Sequence, residues 1–446
     1  MRYVALAVIA FSLPFFVGWL RSKPQHRHHA LAALVFMLFV GGQLQVSAAL
    51  VSWPLWSGPV RGIQISLVDT LAIALIMTRR RGINRLPFLF LTGLYLALMT
   101  LSTLNSSVPL ASVFACVQFI RTALVFVALG GEFTKPRTLP AVTLGLSLGL
   151  ILQAGFVVWQ KLNGAVQATG TMAHQNLLGM SVELALIPLA AAVLEKDRRA
   201  ITVAGVVAGL VVVAGGGSRG AIVLIAIGLI TLVVFTLARR PTARKFKMVG
   251  LGVLLLTAVM PLGWGTLRDR FGETPITSEE DQRAAFETAA RAIAADHPLG
   301  VGANMYVIVN NLEGYADRAG VAWNQANRSA PVHNAYLLAR AETGRAGEIT
   351  FVLLLLVPAV AGMRLAFSDR REPAFGVALG SSVAIWALAI HNFYEFAVHT
   401  YHPQALLMLN LAIIAGHIRS RRLSVRSRRR NGATAQAGVP PAATLA

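Results

Sequence analysis

Residues 201–240 read ITVAGVVAGLVVVAGGGSRGAIVLIAIGLITLVVFTLARR. Two apolar runs, each close to the ~20 residues that a helix needs to cross a bilayer, flank a short glycine-rich segment that contains one arginine. The stretch ends in two adjacent arginines. This pattern predicts two membrane-spanning helices, joined by a glycine-rich turn on one side and followed by a basic connector on the other.

The rest of the chain repeats this pattern. Of its 446 residues, 55% are hydrophobic and only 13% are charged, and its mean hydropathy is +0.62. Since a soluble domain carries about a quarter charged residues, this composition excludes an ordinary soluble protein. We predict an all-α polytopic membrane protein with about 12 transmembrane helices, from thirteen candidate apolar runs. These runs are 3–20, 30–50, 65–78, 86–104, 110–131, 140–160, 177–194, 200–216, 220–238, 248–266, 346–364, 374–391 and 403–418.

The charge distribution predicts the topology. The 40 Lys and Arg residues exceed the 19 Asp and Glu residues, which gives a net charge of +21. Most of the cations, 27 of 40, lie in connectors that this topology places on one side, so that side is expected to be cytoplasmic. The excess therefore needs no nucleic-acid partner. The single cysteine, Cys116, excludes an intrachain disulfide and a multi-cysteine metal site.

Four regions follow from the apolar runs. We expect a transmembrane helix bundle at 1–266, a large helical external loop at 267–345, C-terminal transmembrane helices at 346–418, and a basic, disordered cytoplasmic tail at 419–446. The loop at 267–345 is the only long connector before the tail, so the function is expected on the outer face.

The external loop contains two predicted helices. The first begins near Ser278 and ends before Pro298, and its apolar residues Phe286, Ala290 and Ile293 recur at helical spacing. The second begins near His333, and glycines after Glu342 loosen its connection to the next span.

Four polar motifs lie at the predicted outer boundary of the bundle. They are GTMAHQN at 170–176, GGGSRGA at 215–221, Arg283 with the following helix that ends in HPLGVG at 297–302, and HNAYL at 333–337 with ETG at 342–344. The sequence contains no GxxxxGK[ST] phosphate loop and no Asp-x-Asp pair, so we expect neither a nucleotide, nor a metal, nor another cofactor.

Taken together and in this order, the motifs resemble those of the O-antigen ligase/polymerase superfamily, and most closely its lipopolysaccharide O-antigen ligases. The resemblance implies a GT-C-like glycosyltransferase in the bacterial inner membrane, with its active site facing the periplasm. Its implied donor is an O-antigen polysaccharide linked to undecaprenyl diphosphate, and its implied acceptor is lipid A-core. Membrane lipids are the expected surroundings.

The implied reaction transfers the polysaccharide from this donor to a sugar hydroxyl of the acceptor. It requires a base for the hydroxyl and stabilisation of the departing diphosphate. We expect His333 to be the general base, since histidine titrates near neutral pH. Glu342 either orients this ring or caps a helix. The resemblance implies that Arg219 and Arg283 are catalytic, and a guanidinium binds phosphate bidentately.

Other residues at this boundary are weaker candidates for substrate binding. Arg61 and Lys161 either hold lipid-linked phosphate or decorate an interface, and His174 and Asn176 either meet a sugar or headgroup or cap a loop. Ser218 and Asn334 are included because they adjoin Arg219 and His333. The last external loop contains His391, His399 and His402 with Glu395, a spacing that permits a metal site, although we favour polar contacts there.

Three charged residues fall inside predicted spans. Because an ionised group in a bilayer is costly, we expect Arg121 to pair with either Asp69 or Glu183 and to fix helix packing.

The main alternatives share the fold and the donor. An O-antigen polymerase is one, and Arg291 to Gly302 matches the Arg-x10-Gly pattern often found in polymerases. A protein O-oligosaccharyltransferase is another. A transporter, from a different class, would place functional charges near the bilayer midplane.

Overall fold

The computed structural model describes residues 2–79, 86–195, 197, 199–272 and 276–436 of the chain. Within these ranges α-helices predominate, and one antiparallel hairpin is the only sheet. Its strands are β1 (Ser47–Ser52) and β2 (Gly62–Ser66). The helices are α1 (Arg2–Ser22), α2 (Arg27–Met37), α3 (Leu67–Met77), α4 (Leu89–Ser102), α5 (Pro109–Gly130), α6 (Thr138–Leu162), α7 (Gln175–Leu194), α8 (Ala200–Gly216), α9 (Arg219–Arg239), α10 (Ala243–Gly272), α11 (Ile276–Asp296), α12 (Tyr306–Leu312), α13 (Tyr315–Arg318), α14 (Gln325–Arg328), α15 (Ala335–Ser368), α16 (Pro373–His391) and α17 (Tyr401–Gln436).

Many of these helices have the length and composition of membrane spans. Among the described residues, seven helices are long and apolar enough to cross a bilayer: α1, α5, α6, α7, α9, α15 and α16. Three shorter helices, α3, α4 and α8, are apolar as well. The all-α polytopic class is therefore confirmed, whereas the number of about 12 crossings stays a prediction.

The apolar run at 30–50 is not one helix, as we expected it to be. Helix α2 ends at Met37, and the chain enters strand β1 at Ser47. Between them, Gly42 has a φ of +58°, a left-handed conformation that helices do not continue through. Strand β1 pairs with β2, Ser47 opposite Ser66, so the first external connection forms a hairpin.

Helix α15 contains the break that its glycines predict. Gly344 has φ 71° and ψ −179°, which are not helical angles. A Cβ at this position would lie 2.7 Å from the carbonyl oxygen of Pro298, so the site requires glycine both for its conformation and for space. The break separates the first turns of α15, which directly follow His333, from its long apolar part.

Helix α7 is the centre of the bundle. It packs against α8, α9, α16 and α17, and glycines bring it close to two of these neighbours. A Cβ at Gly179 would overlap that of Ala221 on α9, and a Cβ at Gly380 on α16 would lie 2.5 Å from that of Ala191. This close packing fixes the ends of α7, α9 and α16 relative to one another.

Several basic connectors meet at one end of the bundle, which we call the basic end. There Arg239 donates to Glu195 at 2.8 Å, Lys135 donates to Glu132 at 2.6 Å, and Arg199 donates to the Pro140 carbonyl at 2.8 Å. Arg219 begins the same helix that Arg239 ends, so it lies ~30 Å away at the opposite end, which we call the site end. This arrangement agrees with the predicted clustering of cations on one side.

Two predicted region boundaries differ from the structure. Helix α10 runs to Gly272, past the expected end of the first bundle at 266. Helix α17 runs to Gln436, so 419–436 is helical where we predicted disorder. Arginine is a good helix former, and the apolar helix that precedes this segment supplies the nucleus for it. The expectation for 437–446 lies outside the described residues.

A buried ion pair joins α3 to α5. Arg121 Nε donates to Asp69 Oδ2 at 2.9 Å, and its Nη2 donates to Ser66 Oγ at 3.2 Å. Its guanidinium lies over the ring of Tyr401, 4.7 Å from the ring centre. Arg121 thus has an acidic partner inside the membrane region, as predicted, and Asp69 rather than Glu183 supplies it.

We predict that Arg121→Met lowers the free energy of unfolding by about 3–5 kcal/mol, because it leaves the Asp69 carboxylate buried without its partner. Thermal and denaturant unfolding in detergent measure this loss. The double variant Arg121→Met/Asp69→Leu should recover most of it. Equal destabilisation of the single and double variants would contradict the pairing.

Candidate active site

A cavity of about 800 Å³ opens at the site end of the bundle. The beginnings of α7 and α9, one face of α11, the segment before α15 and the end of α16 form its walls. Its lining consists of Asn176, Ser218, Arg219, Gly220, Val223, Leu224, Ile227, Arg283, Ala284, Glu287, His333, Ile390, His391, Phe393, Tyr394 and Glu395.

Five of the predicted site residues line this cavity together. They are His333, Arg219, Arg283, Asn176 and Ser218. They come from four separate segments, spread over more than 150 positions of the sequence. The helix packing therefore brings residues of all four polar motifs to one cavity.

His333 immediately precedes helix α15. The next residue, Asn334, caps this helix: its side-chain oxygen accepts from the backbone N–H groups of Tyr336 and Leu337, at 3.1 Å each. Its side-chain amide also donates to Glu287 on α11 at 3.3 Å. These bonds fix the backbone beside His333, so Asn334 positions the histidine without lining the cavity.

The His333 ring lies between aromatic side chains and a carboxylate. Its centre is 6.0 Å from that of Phe286 and 5.5 Å from that of Phe396. Its Nδ1 lies 3.5 Å from Oε1 of Glu395, at the outer limit of a hydrogen bond. A carboxylate at Nδ1 favours the tautomer that carries its hydrogen there, which leaves Nε2 able to accept a proton.

Glu395 is the carboxyl group that lies beside His333. It is 5% exposed and also accepts a hydrogen bond from the side-chain amide of Asn176. Burial alone would raise the pKa of the Glu395 carboxyl, but the hydrogen bond and charge of His333 outweigh it and hold the pKa below its ordinary value. Glu395 therefore stays ionised near neutral pH and joins two predicted site residues.

Arg219 occupies the start of α9. Helix α8 ends at Gly216, and its C-cap residue Gly217 adopts a φ of +67°. Helix α9 begins at Arg219, with Ser218 as its N-cap. The left-handed turn requires glycine and lets two helices meet at the cavity wall. Arg219 thus lies where the positive end of a helix dipole adds to its own charge.

Arg283 lies on the cavity face of α11. The buried stripe of this helix, Phe286, Ala289, Ala290 and Ile293, packs into the core of the external segment as its spacing predicts. The face beside this stripe presents Arg283 and Glu287 to the cavity. Arg283 Nη1 donates to the carbonyl of Tyr394 at 3.4 Å, which holds the guanidinium close to the loop of Glu395.

A second carboxylate–histidine pair lies in the same wall. Nδ1 of His391, at the end of α16, is 2.7 Å from Oε2 of Glu183 on α7, and both side chains are buried. Nε2 of His391 faces the start of α9, 3.2 Å from where a Cβ of Gly220 would stand. Glu183 therefore anchors a cavity histidine.

The other predicted binding residues lie outside this cavity. Arg61 is exposed in the hairpin connection, where its carbonyl accepts from Trp53 N–H at 2.8 Å. Lys161 ends α6 and donates to the Val166 carbonyl at 2.7 Å. His174 caps α7, its Nδ1 accepting from Asn176 N–H at 3.2 Å. These contacts support local structure.

Glu342 is not the acid beside His333. Its side chain is buried and accepts from the backbone N–H of Tyr306 at 3.1 Å, so it caps the short helix α12. Its carbonyl accepts from Gly302 N–H at 3.0 Å. Of the two roles left open for Glu342, the structure shows helix capping. Glu395, which lies 62 positions after His333, takes the place beside the histidine.

The histidines of the last external loop do not form a metal site. His391 contacts Glu183, His399 contacts the Ala335 carbonyl, and His402 contacts the Leu38 carbonyl. Within the described ranges, no group of three or more His, Cys, Asp or Glu side chains is arranged to hold a metal ion.

Comparison with known families gives one match. Residues 204–352 match the family model described as O-antigen ligase. This part of the chain, about a third of its length, is similar to that family. No curated protein matches the chain.

The residues that match this family model do not form the whole cavity. Ser218, Arg219, Arg283 and His333 lie inside the matched residues. Asn176 precedes the matched range, whereas His391 and Glu395 follow it. Flanking helices α7 and α16 therefore complete the wall of the site.

His399 makes the site segment sensitive to acid. Its Nε2 donates to the carbonyl of Ala335, beside His333, at 3.2 Å, and burial lowers the pKa of His399 from 6.5 to about 4. Between these pH values the imidazole of His399 is protonated in the unfolded chain and neutral in the folded chain. The free energy of unfolding therefore decreases as the pH falls.

We predict that lowering the pH from 7 to about 4 removes about 3 kcal/mol of unfolding free energy through His399. The variant His399→Gln should show a flatter dependence over the same range, measured by chemical unfolding at a series of pH values. Identical pH profiles for the two proteins would contradict this assignment.

Proposed function

We propose that this protein transfers an O-antigen polysaccharide from undecaprenyl diphosphate to a sugar hydroxyl of lipid A-core, in lipopolysaccharide biosynthesis. The observation that carries the proposal is that His333, Arg219 and Arg283 line one cavity. The similarity of residues 204–352 to the O-antigen ligase family supports the general role, a membrane glycosyltransferase that uses a lipid-linked polysaccharide.

The cavity fits a donor with a charged head and a long hydrocarbon chain. Arg219 starts α9, and Val223 and Ile227 follow on the same face, one and two turns later, also lining the cavity. Both apolar side chains are about half exposed, at 49% and 45%. We propose that the diphosphate binds beside Arg219 and that the prenyl chain lies along this face of α9.

His333 is the proposed base. Its Nε2 takes the proton of the acceptor hydroxyl while the hydroxyl oxygen bonds to the anomeric carbon of the donor. The bond from that carbon to the phosphate oxygen breaks, and its electron pair leaves with the diphosphate. Glu395 keeps the ring oriented and stabilises the imidazolium that forms, as the carboxylate of a hydrolase triad does.

The arginines stabilise the leaving group. Negative charge grows on the diphosphate as the sugar bond breaks, and two guanidiniums beside it offset this charge without a metal ion. A single displacement by one activated hydroxyl inverts the anomeric carbon, by analogy with inverting glycosidases. The proposed reaction is therefore metal-independent and inverting.

His391 is a proposed third ligand of the diphosphate. Glu183 holds its Nδ1, and its Nε2 faces the start of α9, next to Arg219. When this ring carries a proton on both nitrogens, its Nε2–H can donate to a phosphate oxygen. His391 then contributes to donor binding, and His333 contributes to chemistry.

The proposed orientation follows the charges. The basic end faces the cytoplasm of a bacterial cell, and the site end faces the periplasm across the inner membrane. The lipid-linked donor and the lipid A-core acceptor both reach the cavity from the bilayer.

We predict that His333→Ala lowers the transfer rate at least about 100-fold, the contribution expected of a general base. The measurement uses purified protein in nanodiscs, undecaprenyl diphosphate glycan and lipid A-core, with a metal chelator and without nucleotide. The matched control is His174→Ala, which changes a histidine at the same end outside the cavity and should stay active.

Arg219→Lys keeps the charge and removes the bidentate geometry, so in the same assay it should reduce transfer at least about tenfold. Arg291→Lys, on the same helix as Arg283 but outside the cavity lining, is its control and should have little effect. Full activity of the His333→Ala or Arg219→Lys variant would contradict the proposed chemistry.

We predict that Glu183→Gln raises the KM for the donor several-fold and changes kcat less, because the amide keeps a hydrogen bond to His391 without its negative charge. His391→Ala should raise this KM further. Steady-state kinetics with varied donor concentration separate the two constants. A fall in kcat alone would place His391 among the chemical groups instead.

The acceptor distinguishes the proposed ligase from its relatives. Extension of a second lipid-linked chain would identify a polymerase, and attachment to a serine or threonine would identify a protein O-oligosaccharyltransferase. Movement of lipid-linked sugar across a vesicle membrane without a new glycosidic bond would identify a transporter.

A further inference from the structure

A second large cavity, of about 790 Å³, lies at the basic end. It is formed by the end of α1, the start of α2, the residues after α3, the connection between α5 and α6, and α17. Its lining consists of Leu20, Pro24, Gln25, Arg27, His28, Leu31, Thr78, Arg79, Gly131, Glu132, Thr134, Lys135, Pro136, Arg137, Thr138, Arg419 and Leu423. We call it the basic cavity.

The basic cavity has an excess of positive charge. Five cations line it, and Glu132 is the one carboxylate among its described lining residues. Glu132 is fully buried and already binds three of the cations: Arg27 Nε at 3.0 Å, Arg79 Nε at 3.2 Å and Lys135 Nζ at 2.6 Å. One carboxylate cannot neutralise five cations, so the cavity attracts a further anion.

Arg79 has an unused donor in this cavity. Its side chain is only 6% exposed, and its Nη2 donates to the carbonyls of Val127 and Ala128, at 2.9 and 2.8 Å. Its Nη1 is buried and makes no hydrogen bond to any part of the chain that the structure describes. A buried donor without an acceptor is unfavourable, so this atom indicates a missing partner.

The local sequence makes room for this guanidinium. A Cβ at position 131 would overlap the guanidinium of Arg79, and glycine stands there. Burial, together with the charges of Arg27 and Arg419, lowers the pKa of Arg79 against the opposing effect of Glu132. The cations of the cavity therefore lie close enough to repel one another, and an anion among them would relieve this repulsion.

Apolar surface continues from the basic cavity. Leu20, Leu31 and Leu423 line it, and α1, which contributes Leu20, presents exposed apolar side chains such as Phe11 and Phe15 along its length. An anion that carries hydrocarbon chains could place its charge among the cations and its chains along α1. A free anion would use the cations alone.

We propose that the basic cavity binds the phosphate headgroup of an anionic phospholipid. The phosphate lies among Arg79, Arg137 and Arg419, and the acyl chains lie beside α1. Basic cavities between helices at the cytoplasmic side of membrane proteins suit such headgroups. This site is separate from the candidate active site and does not depend on the proposed transfer reaction.

The test compares the full-length protein in phosphatidylcholine nanodiscs with the same protein in nanodiscs that also contain phosphatidylglycerol. Phosphatidylglycerol should raise the unfolding temperature, and native mass spectrometry should detect it retained on the protein. In the variant Arg137→Gln/Arg419→Gln, retention should weaken about tenfold or more, since each basic residue contributes appreciably to the attraction. Arg79 is left unchanged because its loss also removes two helix-capping bonds.

The matched control is Arg370→Gln/Arg371→Gln, which removes two exposed arginines at the same end but outside the basic cavity. It should retain phosphatidylglycerol as the unchanged protein does. Equal losses in the two double variants, or no retention by the unchanged protein, would overturn the proposal. Equal stabilisation by inorganic phosphate in phosphatidylcholine nanodiscs would assign the cavity to a free anion and would also overturn it.

Discussion

The close packing of α7 against α9 and α16 is the constraint on which the rest of the structure depends. Glycines at 179 and 380 bring these helices to distances at which a Cβ would have no room. In a bilayer the hydrophobic effect does not hold helices together, so small residues that allow such approach determine the packing. The three helices carry cavity-lining side chains at the site end: Asn176, Arg219 and His391. Their relative positions therefore define the cavity.

The buried acidic side chains have different partners at the two ends of the bundle. At the basic end, buried carboxylates bind arginines and lysines directly, as Glu195 does with Arg239 at 2.8 Å and with Lys245 at 2.7 Å. These pairs fix the connectors. At the site end, the carboxyl groups of Glu183 and Glu395 face histidines instead. Each of these carboxyl groups lies at Nδ1 of its histidine, which leaves Nε2 for other contacts.

Much of the fold could be predicted from the sequence, because apolar length and the placement of cations depend on local composition. The amphipathic stripe of α11, the break at Gly344 and the positions of His333 and Arg219 at helix starts are also local properties, and the structure has each of them. The run at 30–50 was predicted wrongly because hydropathy alone does not distinguish a helix followed by a strand from one long helix.

The partners of the site residues could not be predicted in the same way. Glu342 lies on α15, the helix that follows His333 directly, yet its side chain points to the backbone of α12, whereas Glu395 comes from the segment after α16. Such a contact depends on how two distant helices pack. The segment HNFYEF at 391–396 did offer a signal, a histidine and a glutamate between apolar runs, and we favoured polar contacts there. Its spacing could not show which residues of other helices these two side chains would contact.

The central claim is that one lipid-linked diphosphate binds where His333, Arg219 and Arg283 converge. The most direct measurement is a cryo-electron microscopy structure of the protein in nanodiscs with undecaprenyl diphosphate bound. The account predicts density for the diphosphate within hydrogen-bond distance, about 3 Å, of both guanidiniums, with the prenyl chain along α9. Diphosphate density at another place, such as beside Arg61 or Lys161, with the cavity unoccupied, would contradict it.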